Sequence, residues 1–297
     1  MTRRTFVVAG LASASAGAAS PQIVDTHIHL YDPTRPQGAP WPAKSDTLLY
    51  KPTLPGAYAA MVRPLGVTGA VVVEASTWVE DNQWILDLAK ENPIIAGLVG
   101  HLYPGTTDFR QHLARFGRNP LFRGIRLNGT AIASGMASAA FVEDLQRLAG
   151  AGLMIDALGD AGMIRSLLAV TEKIPALRIA IDHMPSAFSG RAESRTALRE
   201  LSRRPQVYSK VSGVLKKVDG KTPEDLSFYK ESLDEVWEIF APDRVMYGSN
   251  WPVSERLAPY TAVLGVMKKY LAGKDPAVSE KYFRKNSRAC YGWIDRG

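Results

Sequence analysis

Eight short runs rich in apolar and β-branched residues punctuate the chain: 23–30, 68–76, 94–102, 122–129, 152–159, 178–185, 207–215 and 244–253. After the first gap their starts lie about 26 to 37 residues apart, and the stretches between them mostly repeat apolar residues at helical spacing, as in Leu233, Val236, Trp237, Phe240 or Phe141, Leu145, Leu148. Strands alternating with helices demand a parallel sheet with helical crossovers, and eight units are the number that closes a (β/α)8 TIM barrel. A doubly wound open sheet is the rival. It would carry a glycine-rich turn after its first strand, where this chain reads Tyr31-Asp32-Pro33-Thr34-Arg35-Pro36. The sequence therefore predicts an α/β protein with a single barrel and indicates no dinucleotide cofactor.

Length alone leaves that choice open, because 297 residues fit two domains as well as one barrel with an extension. No internal linker marks a second domain, so residues 20–297 are read as one barrel. Residues 31–56 hold six prolines and Trp41 without helical periodicity, which predicts a long stiffened loop over the barrel mouth. Past the eighth strand, 254–270 and 276–290 read as two terminal helices. The formal charge of +7 is modest and its basic pairs are scattered among acids, which argues against nucleic acid and favours a small anionic partner. A homo-oligomer is compatible with all of this. Lone Cys290 cannot form an internal disulfide.

Residues 1–19 read as an export signal. Arg3-Arg4 precede an uncharged small-and-apolar run that ends in Ala16-Gly17-Ala18, a pattern like the twin-arginine signal of bacteria. The run is too short to span a bilayer, which needs about 20 apolar residues. A periplasmic or exported protein without stable membrane insertion is expected, with an uncleaved signal anchor as the alternative.

The groups able to do chemistry fall at strand ends. His27 and His29 are separated by one residue, so on a strand both imidazoles emerge from one face. His183 ends the sixth run, and the C-terminal strand ends of a barrel open on one face, so three imidazoles can meet there around a divalent ion. The bland alternative is a set of buried, hydrogen-bonded histidines. His101, following Gly97-Leu98-Val99-Gly100 in the third run, is a weaker candidate for the pocket wall. Glu74 closes the second run and can act as a base or form an ion pair with Lys210 or Arg126. Arg126 can hold a substrate carboxylate and a developing oxyanion, or serve as a barrel salt bridge, and Lys210 carries the same ambiguity. Trp41 and Trp251 lie beside prolines in mouth segments, where they form either walls for a substrate ring or cover for the core.

Asp25-Thr26-His27-Ile28-His29, Gly124-Ile125-Arg126, Asp182-His183, Lys210-Val211-Ser212-Gly213 and Tyr247-Gly248-Ser249-Asn250-Trp251-Pro252-Val253 fall in order on strands one, four, six, seven and eight. In these motifs residues 22–292 resemble the amidohydrolase superfamily, and within it the branch of TIM-barrel lactonases that includes fuconolactonases and sulfomuconolactonase-like enzymes. The resemblance implies a hydrolase that opens a lactone of a sugar acid or an aromatic-derived acid, with His27, His29 and His183 around the reacting carbonyl. It implies either one bound divalent metal, zinc first, or metal-independent catalysis. Arg126 and Asp156 stand where many members carry a carboxylated lysine or glutamate and a histidine, so a two-metal site is not expected. Asn250 stands where relatives carry an aspartate base. An amide cannot accept a proton at neutral pH, which leaves Glu74 or His183 to do so. Asn250 also keeps two other readings open: a decarboxylase of the same barrel type, and a non-catalytic periplasmic binder.

Overall fold

The computed structural model describes residues 22–183 and 192–296, so the expected export signal at 1–19 lies outside the described residues. All eight expected strands are present: β1 Ile23–Ile28, β2 Val67–Val73, β3 Ile95–Gly100, β4 Phe122–Asn128, β5 Met154–Leu158, β6 Arg178–Ile181, β7 Val207–Val211 and β8 Val245–Tyr247. They form one parallel sheet in sequence order, with helices on its outer side, as a TIM barrel requires. Each sequence-based strand overshoots the observed one at its C-terminal end, and Met184 and Pro185 of the sixth fall outside the described residues. The overshoot has a physical cause. Residues just past the assigned strands are buried or half-buried at the mouth, and among them are His29, Glu74, Asp182, Ser212 and Asn250.

Near-continuous burial along the strands follows from covering on both faces. One apolar core fills the space between sheet and helices. A smaller one fills the barrel interior, where Val24, Val71, Val73, Val99, Met154, Ala180 and Met246 meet Cys290, Tyr291 and Trp293 from the C-terminus. The last turns of the chain therefore plug the base of the barrel.

The seam between β8 and β1 is short. It is closed by the Ile28–Trp251 bridge, by His29 N–H donating to the Trp251 carbonyl at 2.8 Å, and by Asn250 N–H donating to the His27 carbonyl at 2.9 Å. Gly248 is required at this seam, since a Cβ there would stand 2.8 Å from His27 Cβ. The register of β1 against β2 shifts between Asp25 and Ile28. That irregularity breaks the two-residue alternation, so Val24 and the odd-numbered His27 and His29 all serve the barrel interior. The Asp25 carboxylate pins the shift: it accepts from Ser249 N–H at 2.8 Å, His27 N–H at 3.2 Å and the hydroxyls of Tyr58 and Tyr260, each at 2.9 Å.

The proline-rich segment contains no helix until Pro55, which opens the helix Pro55–Val62 one residue before the expected loop end. Tyr31 and Thr53 exchange backbone hydrogen bonds at 3.1 and 2.8 Å, clamping the base of the loop. The first expected terminal helix is split. Pro259 has no N–H to donate, and the chain forms a short 3-10 turn at Val253–Arg256 followed by a helix at Tyr260–Leu271. The second runs through Pro276–Glu280, a π turn at Lys281–Lys285 and Asn286–Tyr291.

Candidate active site

A cavity of about 450 Å3 opens at the C-terminal ends of the strands, lined by His29, Glu74, Arg126, His183 and Asn250 on its polar side. Pro40 and Trp41 from the proline-rich loop, with Leu158 and Val253, supply its apolar side. Six of the barrel's strand ends thus contribute to one space, as a TIM barrel's mouth allows.

The three imidazoles converge: ring centroids lie 5.0 Å apart for His27 and His29 and 4.6 Å apart for His27 and His183. Burial keeps all three neutral, pushing His29 down to about 3, His183 to about 4, and His27 well below its ordinary range. His29 donates from Nδ1 to the Val73 carbonyl at 3.1 Å; a carbonyl can only accept, so the lone pair is left on Nε2. His183 Nδ1 meets Ser212 Oγ at 2.9 Å. His183 and Asn250 both adopt left-handed backbone, with φ of 54° and 60°. Asn, Asp and His enter that region more readily than other non-glycine residues, so the backbone at position 250 accepts either the amide or the acid.

Beneath the cavity lies a buried network of charges. Lys210 Nζ reaches Asp156 Oδ2 at 2.5 Å, Asp182 Oδ1 at 2.9 Å and His27 Nδ1 at 3.3 Å. Arg126 Nε donates to Asp182 Oδ2 at 3.2 Å, and Tyr291 O–H donates to Asp156 Oδ1 at 2.8 Å. Burial alone would raise the Asp182 carboxyl, but Lys210, His27 and Arg126 together hold it well below the usual carboxylate range. Asp156 moves the other way, raised by burial against the pull of Lys210.

Lys210 is therefore not a substrate-binding residue. It is fully buried and lies within the β7 ladder rather than at its end, so its ammonium serves the two aspartates and does not line the cavity. Trp251 is corrected likewise: its indole packs on Tyr58 with centroids 5.1 Å apart, and its Nε1 donates to Glu255 at 2.8 Å, placing it in the seam under the mouth. Trp41 does line the cavity, edge-on to His29 at 5.6 Å. Arg126 forms the expected salt bridge, with Nε on Asp182, and its side chain also lines the cavity. His101 packs on Tyr103, and its backbone is held by Asn82 rather than by the cavity.

Glu74 lines the cavity from the end of β2. Burial pushes its carboxyl up to about 7, although the nearby Arg126 guanidinium opposes the rise.

The tight group of metal-capable atoms differs by one residue from the expected set. His27, Asp182 and His183 each offer an atom within 4.8 Å of the others, and Asp182 stands in that group where the sequence pointed to His29. Neighbouring residues of a strand face opposite ways, which hid Asp182 beside His183. The strand ends at Ile181, so alternation no longer separates the two. Ser212 was missed as well, since only the structure shows its hydroxyl on His183. A divalent cation fits this group: His27 Nε2 is buried and has no hydrogen-bond partner among the described residues.

Known proteins share this sequence pattern and this fold. The family model described as Amidohydrolase matches residues 24–293. A protein named L-fucono-1,5-lactonase from Burkholderia ambifaria is 31% identical over 244 residues, covering 79% of this chain and 81% of that protein. Another of the same name from Burkholderia multivorans is 25% identical over 261 residues, covering 83% and 88%. The crystal structure of a zinc-bound amidohydrolase from Burkholderia multivorans superposes with a TM-score of 0.81 at 23% identity, over 92% of this chain and all of that one, and so shares the fold. Motif order, barrel and match over nearly the whole described chain lead to one assignment: the chain belongs to the amidohydrolase family.

Proposed function

We propose that this protein hydrolyses a lactone, with Glu74 as the group that accepts a proton from the attacking water. One observation carries the assignment of roles: a carboxyl with a proton affinity near neutrality lines the same cavity as Arg126, in a chain 31% identical to an L-fucono-1,5-lactonase. A general base works best when its pKa lies near the working pH. Glu74 at about 7 meets that condition, whereas His183 at about 4 is a much weaker base. The water's oxygen bonds to the lactone carbonyl carbon as its proton passes to Glu74. The tetrahedral intermediate then breaks its ring C–O bond, and Glu74 returns the proton to the departing ring oxygen, giving a hydroxy acid. Arg126, already fixed by Asp182, offers its remaining N–H groups to the developing oxyanion or to a substrate carboxylate. Asn250 lines the cavity as a neutral hydrogen-bonding partner. A zinc ion on His27, Asp182 and His183 would polarise the carbonyl when bound.

The direct test is a panel of δ-lactones monitored for acid release, together with elemental analysis of the purified protein. Acid release from the panel supports the reading. Carbon dioxide release from an aromatic acid without ring opening would move the assignment to a decarboxylase. Asn250→Asp addresses the binder reading, and the left-handed backbone at that position tolerates the change. With Glu74 as base, the variant's kcat/KM should change by less than the roughly 100-fold that a positioned base contributes at minimum. Hydrolysis that appears only in the variant would identify the natural chain as a binder.

A further inference from the structure

Trp41 lines the cavity, but the barrel does not carry it. With Pro40 it reaches the cavity from the proline-rich loop, whose residues 36–48 are mostly exposed and form no helix or strand. A side chain on such a segment is placed only as firmly as the segment is tied down. The tie is Arg35. Its guanidinium holds the loop's own backbone, Nε donating to the Asp32 carbonyl at 3.4 Å and Nη2 to the Gly38 carbonyl at 3.3 Å. It also grips the helix Glu80–Glu91: Nη1 and Nη2 donate to the two Asp81 oxygens at 2.9 and 3.1 Å, and the guanidinium carbon lies 4.2 Å from the centre of the Trp84 ring. The Arg35 and Asp81 side chains are only 9% and 14% exposed, so this two-pronged pair escapes the screening that weakens ion pairs on open surface. The backbone turns around the clamp, with Gly38 N–H donating to the Arg35 carbonyl at 2.7 Å and Gly38 at a φ of 73° that favours glycine. Trp41 follows three residues later, its ring 5.6 Å from that of His29 and 5.2 Å from that of Tyr31. Past it the loop has separate ties, the Asp46 carboxylate on Arg256 and the Leu49 carbonyl on the Tyr31 hydroxyl at 2.9 Å.

We propose that Arg35 is a positioning residue: by clamping the loop to Asp81 and Trp84 it sets Trp41 as the wall on which a substrate ring packs. The proposal rests on the lactone-opening reading and deepens it. Arg35 is not among the residues that line the cavity, so it acts on the substrate only through the loop. Glu74 and Arg126 stand on strand ends that the loop does not carry. Loosening the loop therefore weakens the hold on the ring and leaves the proton transfer in place. Lysine cannot take over, because a point charge does not combine a two-pronged bond to Asp81 with a flat face on Trp84.

The test compares Arg35→Met, Trp41→Ala and the double variant with the parent, on the lactone of the panel that the parent opens fastest. Arg35→Met should raise KM about tenfold, the scale of one well-placed aromatic contact, and change kcat by less than about threefold. Trp41→Ala should raise KM at least as much, and the double variant should be no worse than Trp41→Ala, since Arg35 then has nothing left to position. Arg35→Lys should behave like Arg35→Met. A parental KM in Arg35→Met, or losses that simply add in the double variant, overturns the proposal and leaves lactone opening intact. Hydrogen exchange reads the clamp without substrate: amides from Gly38 to Lys44 should exchange faster in Arg35→Met while the eight strands keep their protection, and unchanged exchange at Gly38 also overturns the proposal. If no lactone is opened, the lactone reading falls and takes the substrate role of Trp41 with it, and exchange still decides whether Arg35 holds the loop. Asp81→Asn releases the clamp from the helix side and carries the same comparison if Arg35→Met does not fold.

Discussion

Replacing Glu74 by Gln should abolish most of the hydrolysis, lowering kcat by about 100- to 10,000-fold, the range a positioned base contributes. The same change should make the protein harder to unfold at pH 8. Folding raises this carboxyl from 4.5 to about 7, so holding it ionised costs the native state about 3 kcal/mol. The sign follows from proton linkage: the penalty is absent below pH 4.5, grows as pH rises towards 7, and is complete above it. Glutamine removes the charge and with it the penalty. Urea unfolding at pH 5 and pH 8 should therefore show a stabilisation confined to the higher pH. In the parent, kcat should climb through pH 7 as Glu74 ionises. A variant with parental activity would remove Glu74 from the mechanism, whatever its stability.

The second large effect concerns Lys210. Lys210→Met keeps much of the side chain's volume but leaves Asp156 without its cation and Asp182 with Arg126 alone. Removing one partner of a buried ion pair commonly costs about 3–5 kcal/mol, because the remaining charge stays buried. Urea denaturation at pH 7 should show a loss of that size. It should shrink near pH 5, where Asp156, whose carboxyl burial already raises, takes up a proton. Adding Asp156→Asn should recover part of the loss at pH 7. A loss under about 1 kcal/mol for the single variant would mean that the network is not a buried charge cluster in solution.

These two residues also show how far the sequence could be read. Strand order, the paired histidines of β1 and the histidine after β6 were legible because each rests on periodicity, which one sequence contains. Glu74 was legible as a strand end. Depth was not. Lys210 and Glu74 both look like charged residues near a strand end, yet one lies inside the ladder with two aspartates and the other faces the cavity. Three-dimensional partners decide that, and the aspartates come from β5 and from the turn after β6. The register shift in β1 was equally hidden, since it depends on Asp25 reaching Ser249, 224 positions away.

The plug at the barrel base has a consequence for biosynthesis. Cys290, Tyr291 and Trp293 complete the interior, and the Tyr291 hydroxyl is part of the bonding around Asp156. A nascent chain emerges from its N-terminus, so all eight strands leave the ribosome before the pieces that seal them. Until residues 290–293 have been made, the growing polypeptide holds Asp156 without its Tyr291 hydrogen bond and the interior without its last aromatic side chains.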